Sequence, residues 1–218
     1  MKKLGFLVIV ASIVSSLLFG LTIQAATFKD IPNNFWAKSE IDYLFGKNII
    51  SGYPNGNFGP NDNVKRIDAA AMVVKALNLN TTNRPNPQFK DISRSTVGFD
   101  VIATVVDEGI FTGTDGSFYP NKTLTRAEMA AIINRAFKLE KKSTKVTFKD
   151  VNSKFWGYLD IQNLVGHKIT EGFPNNTFQP SNPTTRAQFS VFLTRALKGK
   201  EGNTGTPDKD SFEVIGIY

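Results

Sequence analysis

The chain repeats itself with a fixed period, and that period constrains its architecture more than any single motif does. Arg66, Arg126 and Arg186 stand 60 residues apart, each opening an apolar, helix-like run. Ahead of each arginine lies a glycine turn closed by phenylalanine and proline: Gly52 with Phe58 and Pro60, Gly113 with Phe118 and Pro120, Gly172 with Phe178 and Pro180. Each unit opens on Phe-Lys-Asp, at 28–30, 89–91 and 148–150.

The middle unit is the clearest. Asp115 and Gly116 form a turn, where glycine tolerates a positive φ. Thr125 is positioned to cap a helix, and Glu128 follows at capping-box spacing. Ala127, Ala130, Ile133, Ala136 and Phe137 recur at helical spacing, which predicts a helix ending at Phe137 with one apolar face. Arg126 then falls at the first helical position, where a guanidinium and a positive helix end suit an anion. An earlier helix in each unit carries Ile41, Leu44 and Phe45, or Ile102, Val105 and Val106, or Ile161, Leu164 and Val165. Two amphipathic helices in about 60 residues bury little alone, so the units must pack on one another.

Polar connectors at 78–88 and 139–147 separate the units, giving repeats at 27–80, 88–140 and 147–199. Residues 200–218 read as a flexible tail, with strand character at 212–218. The first residues form a basic start, Lys2 and Lys3, an apolar run, and small residues at Ala25 and Ala26. This predicts a secretory signal peptide over 1–25; the rival is a retained transmembrane anchor. Without Lys2 and Lys3 the formal charge of +7 falls to +5, spread along the chain without a basic stripe. That balance favours acidic partners and argues against nucleic acid. The absence of cysteine excludes disulfides, thiolate zinc sites and a cysteine nucleophile. There is one histidine, and no calcium-type loop, so no metal or cofactor is expected.

Three units of Phe-x-Asp, Phe-Trp, Gly-Tyr-Pro-x-Gly-x-Phe-x-Pro and Thr-Arg-Ala-Glu type resemble S-layer homology (SLH) domains over residues 27 to about 199. The resemblance implies a mainly α fold, with three helix–loop–helix repeats packed as one pseudo-threefold domain around a central three-helix bundle. It implies a secreted, monomeric, non-enzymatic module that anchors its carrier to the cell wall. The implied partner is a secondary cell wall polysaccharide carrying pyruvate ketals, with no membrane contact after signal cleavage. The competing classes are a self-assembling S-layer structural protein and a wall hydrolase; Glu40, Asp42, Glu108 and Glu128 supply carboxylates, but only at ordinary helix-surface or capping positions.

A pyruvylated sugar offers a carboxylate, hydroxyls and an apolar face. The resemblance assigns Arg66, Arg126 and Arg186 to the carboxylate, with structural loop-bonding as the alternative. Asp30, Asp91 and Asp150 would accept sugar hydroxyls or hold the fold. Trp36, Trp156, Tyr53 and Phe173 would cover the sugar face, the tryptophans alternatively acting as core wedges. Gly52, Gly113 and Gly172 would let backbone amides approach the ligand. Phe58, Phe118 and Phe178 are expected to pack, and His167 to be exposed. Repeat two has Val97 and Thr114 in place of aromatics and a shorter turn, while repeat one has Lys65 where a capping threonine is expected. The grooves should therefore differ.

Overall fold

The computed structural model of the protein describes residues 28–142 and 144–202. The expected signal peptide and the strand-like stretch at 212–218 lie outside them. Six helices appear in order: α1 (Lys38–Gly46), α2 (Arg66–Ala76), α3 (Phe99–Asp107), α4 (Arg126–Phe137), α5 (Tyr158–Gly166) and α6 (Arg186–Gly202). The second helix of every repeat begins at the periodic arginine. At α4 the capping box forms, with Thr125 accepting from the Glu128 amide and Glu128 from the Thr125 amide. Thr185 and Gln188 make the same exchange at α6. Lys65 gives α2 no side-chain cap. Helix α6 continues to Gly202, into the stretch assigned from sequence to a tail.

Packing follows a cyclic rule. Helix α3 packs on α2, α5 on α4 and α1 on α6, so each repeat's first helix lies against the second helix of the preceding repeat. The contact of α1 with α6 closes the ring, and α6 also packs on α2 and α4 in the centre. The fold is thus mainly α with a pseudo-threefold arrangement, as the resemblance implied.

At the axis the backbone closes a triangle. The Val64 amide donates to the Thr184 carbonyl (2.9 Å), Thr184 to Leu124 (2.8 Å), and Leu124 to Val64 (2.9 Å). Residues preceding α2, α4 and α6 therefore satisfy one another, and none can be placed without the other two. Phe58, Phe118 and Phe178 are buried beside it. Each packs against the ring of its own repeat's Phe28, Phe89 or Phe148. The turn glycines make room for those rings: a Cβ on Gly52 would meet the Phe28 ring at 2.5 Å and the Asn57 carbonyl at 2.7 Å.

Candidate functional site

The periodic arginines lie at the seams between repeats. Each Nε donates to a phenylalanine carbonyl of the next repeat around the ring: Arg66 to Phe118 (2.8 Å), Arg126 to Phe178 (2.8 Å), Arg186 to Phe58 (2.9 Å). Arg66 and Arg186 also donate Nη2 to the carbonyls of Thr112 (2.7 Å) and Ser51 (2.9 Å). The aspartates complete the clamp from the other side. Asp30 accepts the amides of Phe58 and Gly59, Asp91 those of Phe118 and Tyr119, and Asp150 those of Phe178 and Gln179, all at 2.7–2.8 Å. Each of these phenylalanine peptide groups is thus held by an aspartate of its own repeat and an arginine of its neighbour.

One expectation is corrected here. The first two amides of α2, α4 and α6 are not free to meet an anion. The amides of Arg126 and Ala127 donate to the carbonyls of Asn182 and Pro180, and α2 and α6 are closed in the same way by Lys122 and Pro120 and by Asp62 and Pro60. The next amide of α4 and of α6 is taken by its capping threonine. Helix ends that meet at a closed axis satisfy their donors with one another's loops.

The three seams differ in what surrounds the arginine. Arg126 is 1% exposed, enclosed by the rings of Phe173 (4.7 Å), Phe178 (4.6 Å) and Phe192 (5.6 Å). Its Nη1 is buried without a hydrogen-bond partner. Burial pulls its guanidinium down to about 10. Phe192 stands where α2 has Met72 and α4 has Ile132, and its bulk fills this seam. At Arg186, the Tyr53 ring lies 5.1 Å from the guanidinium and its hydroxyl donates to Asp62 (2.9 Å), leaving a cleft of about 130 Å³.

At Arg66 the seam is open. Thr114 replaces the covering aromatic, and a cleft of about 370 Å³ is lined by Arg66, Phe111, Thr112, Thr114, Glu128, Arg135 and Trp156 among others. Trp156 is 60% exposed at its rim, against Phe155 (5.5 Å), so it is no core wedge. Trp36 is half-buried against Phe35 (5.7 Å). His167 is half-buried, with Nε2 2.8 Å from the Glu140 carbonyl, so the expectation of an exposed ring does not hold.

Sequence reasoning missed a second periodic set of cations. Lys75, Arg135 and Arg195 also stand 60 residues apart, nine positions after the periodic arginines. Lys75 lines the cleft at Arg186, and the exposed Arg135 lines the one at Arg66. That spacing was the signal that would have found them. Among the described residues, no group of three or more histidines and carboxylates is placed to hold a metal ion, and no helix is long and apolar enough to cross a membrane.

A small closed array of three helix-pair repeats, clamped at each seam by arginine and aspartate, defines a repeat-built α module. The S-layer homology domain family matches residues 27–70, 88–130 and 147–190, and the chain belongs to that family. Similar proteins include a surface-layer 125 kDa protein of Lysinibacillus sphaericus, 33% identical over 83% of this chain and 15% of its own length. S-layer protein EA1 of Bacillus anthracis is 30% identical over 88% of this chain and 23% of its own. An amylopullulanase of Thermoanaerobacterium thermosulfurigenes is 31% identical over 81% of this chain and 10% of its own. The chain therefore spans less than a quarter of these relatives. Membership places it at the cell surface.

Proposed function

We propose that this chain is a non-covalent wall anchor that binds a carboxylated polysaccharide, of pyruvate-ketal type, in the cleft at the seam of repeats one and two. The observation that carries this reading is the pairing of Arg135 and Arg66 with the exposed Trp156 around one space of about 370 Å³. An arginine fork takes a carboxylate, and an exposed indole covers the C–H face of a sugar ring. Arg66 has two of its donors committed to Phe118 and Thr112, so Arg135 provides the principal fork. The cleft at Arg186 and Lys75 is the weaker second position, and the seam at Arg126 is a structural clamp.

The chain acts as a monomer without catalytic activity. The enzyme and the S-layer proteins it resembles are matched over only 10–23% of their lengths, which is consistent with a shared anchoring module carried by different cargoes. A charge-assisted hydrogen bond contributes about 1.5–3 kcal/mol. Firm retention then relies on a repeating polymer that engages more than one cleft.

The test is cosedimentation of the chain with purified walls, native and stripped of secondary polysaccharide. Binding to native walls alone is the expected result. Equal binding to both would reject the polysaccharide as the ligand.

A further inference from the structure

A second basic cleft lies away from the arginine seams, where α4, α5 and α6 end. It encloses about 340 Å³ and is lined by Lys138, Glu140, His167, Ile169, Arg195 and Lys200 among others. Its cations come from separate elements: Lys138 from the left-handed cap of α4, and Arg195 and Lys200 from α6. Among the described residues, no carboxylate lies within ion-pair distance of Lys138, Arg195 or Lys200. Glu140 is the cleft's single carboxylate, against three permanent positive charges.

The helix ends here are negative poles and favour nearby cations, which accounts for Lys138 and Lys200 in part. It does not account for Arg195, which stands seven positions before the end of α6 and is half-buried. Burial lowers its guanidinium despite the influence of Glu40 and Glu171. One of its nitrogens, Nη1, donates to the Ile169 carbonyl (3.1 Å), which fixes the group against the cleft wall. A half-buried, anchored guanidinium in a cleft that two ammonium groups also line leaves room for an anion to enter.

We propose that this cleft is a separate anion site, and that its ligand is a phosphate group. A carboxylate is best matched by one planar fork, but Arg195 has part of its fork committed. A tetrahedral phosphate instead presents several oxygens in different directions, which suits a cleft lined by one guanidinium and two ammonium groups from different elements. The site is formed because α6 runs beyond α2 and α4 in length, so that its last turns wall the cleft. It is independent of the carboxylate cleft at Arg135.

The test is a titration of the full chain with inorganic phosphate and, separately, with a glycerol-phosphate oligomer, at constant ionic strength with chloride as the control. Saturable binding of phosphate but not chloride is expected, weakened at least tenfold in Arg195→Gln. The surface double variant Lys138→Gln/Lys200→Gln should show the same loss with an unchanged Tm, which covers the case in which Arg195→Gln does not fold. Arg135→Gln should bind phosphate as the parent does. Tighter binding of the oligomer would identify a phosphodiester polymer as the source, and equal binding a free phosphate; both support a phosphate site. Phosphate and chloride acting alike, or Arg135→Gln losing phosphate as strongly as the double variant, would overturn the proposal.

Discussion

Asp91 accepts two backbone amides with its two carboxylate oxygens, and Asp30 and Asp150 do the same in their repeats. Removing such a carboxylate strands the buried Phe118 amide together with that of Tyr119. Asp91→Ala should therefore cost roughly 3 kcal/mol in chemical denaturation, and wall binding should fall only as far as the folded fraction does. Asp160 makes the opposite case. Burial raises its carboxyl above the ordinary range while Arg135 pulls it back. A carboxyl raised in the folded state favours folding below its unfolded value of about 4, and that contribution is lost as pH rises through the folded value. Asp160→Asn should accordingly raise Tm at pH 7, by under about 1 kcal/mol in stability, with the gain vanishing as pH falls toward 4. Scanning calorimetry across that pH range checks the sign. At this scale the sequence was legible in residue type but not in role. Asp30, Asp91 and Arg126 were visible as repeated polar positions, yet a repeated residue serves the repeat's own closure as readily as a ligand. Arg126 is enclosed by Phe173 and Phe178 of the next repeat and by Phe192 of its second helix, which no local reading brings together.

At the scale of helices, the caps were read correctly because capping is local. Thr125 with Glu128 forms its box, and Lys65 leaves α2 without a side-chain cap. Lys65 has φ −79° and ψ 154°, close to the −80° and 160° of Thr125, so threonine fits at position 65 without backbone change. Lys65→Thr should stabilise the protein by about 1 kcal/mol, and Thr125→Ala should destabilise it by about the same amount, both measured by urea unfolding. The length of α6 was not legible. Its residues 200–202 read as part of a flexible tail, but Glu201 accepts from the hydroxyl of Tyr43 on α1 (2.7 Å) and pairs with Lys47 at the C-cap of α1 (3.0 Å). A tertiary contact 158 positions away in sequence extends a helix that local propensity would end. The same lengthening of α6 walls the basic cleft beside Arg195.

For the whole molecule, the fixed period carried the need for three units, each with two amphipathic helices, to pack on one another, and the resemblance to S-layer homology domains carried the pseudo-threefold arrangement. What the period could not say is which seam stays open, because openness depends on where the repeats differ. Thr114 in the second repeat removes a cover, Trp156 in the third supplies a rim, and Arg135 adds a cation; all three converge on one cleft from separate parts of the chain. Phe192 closes the seam at Arg126, and Tyr53 narrows the one at Arg186. The most direct measurement is calorimetric titration of the purified wall polysaccharide into the parent chain, Arg135→Ala and Lys75→Ala, with Tm recorded for each. The account predicts that Arg135→Ala loses binding by tenfold or more at unchanged Tm, while Lys75→Ala loses less. Parent-like binding by Arg135→Ala, or equal losses in the two variants, would contradict it.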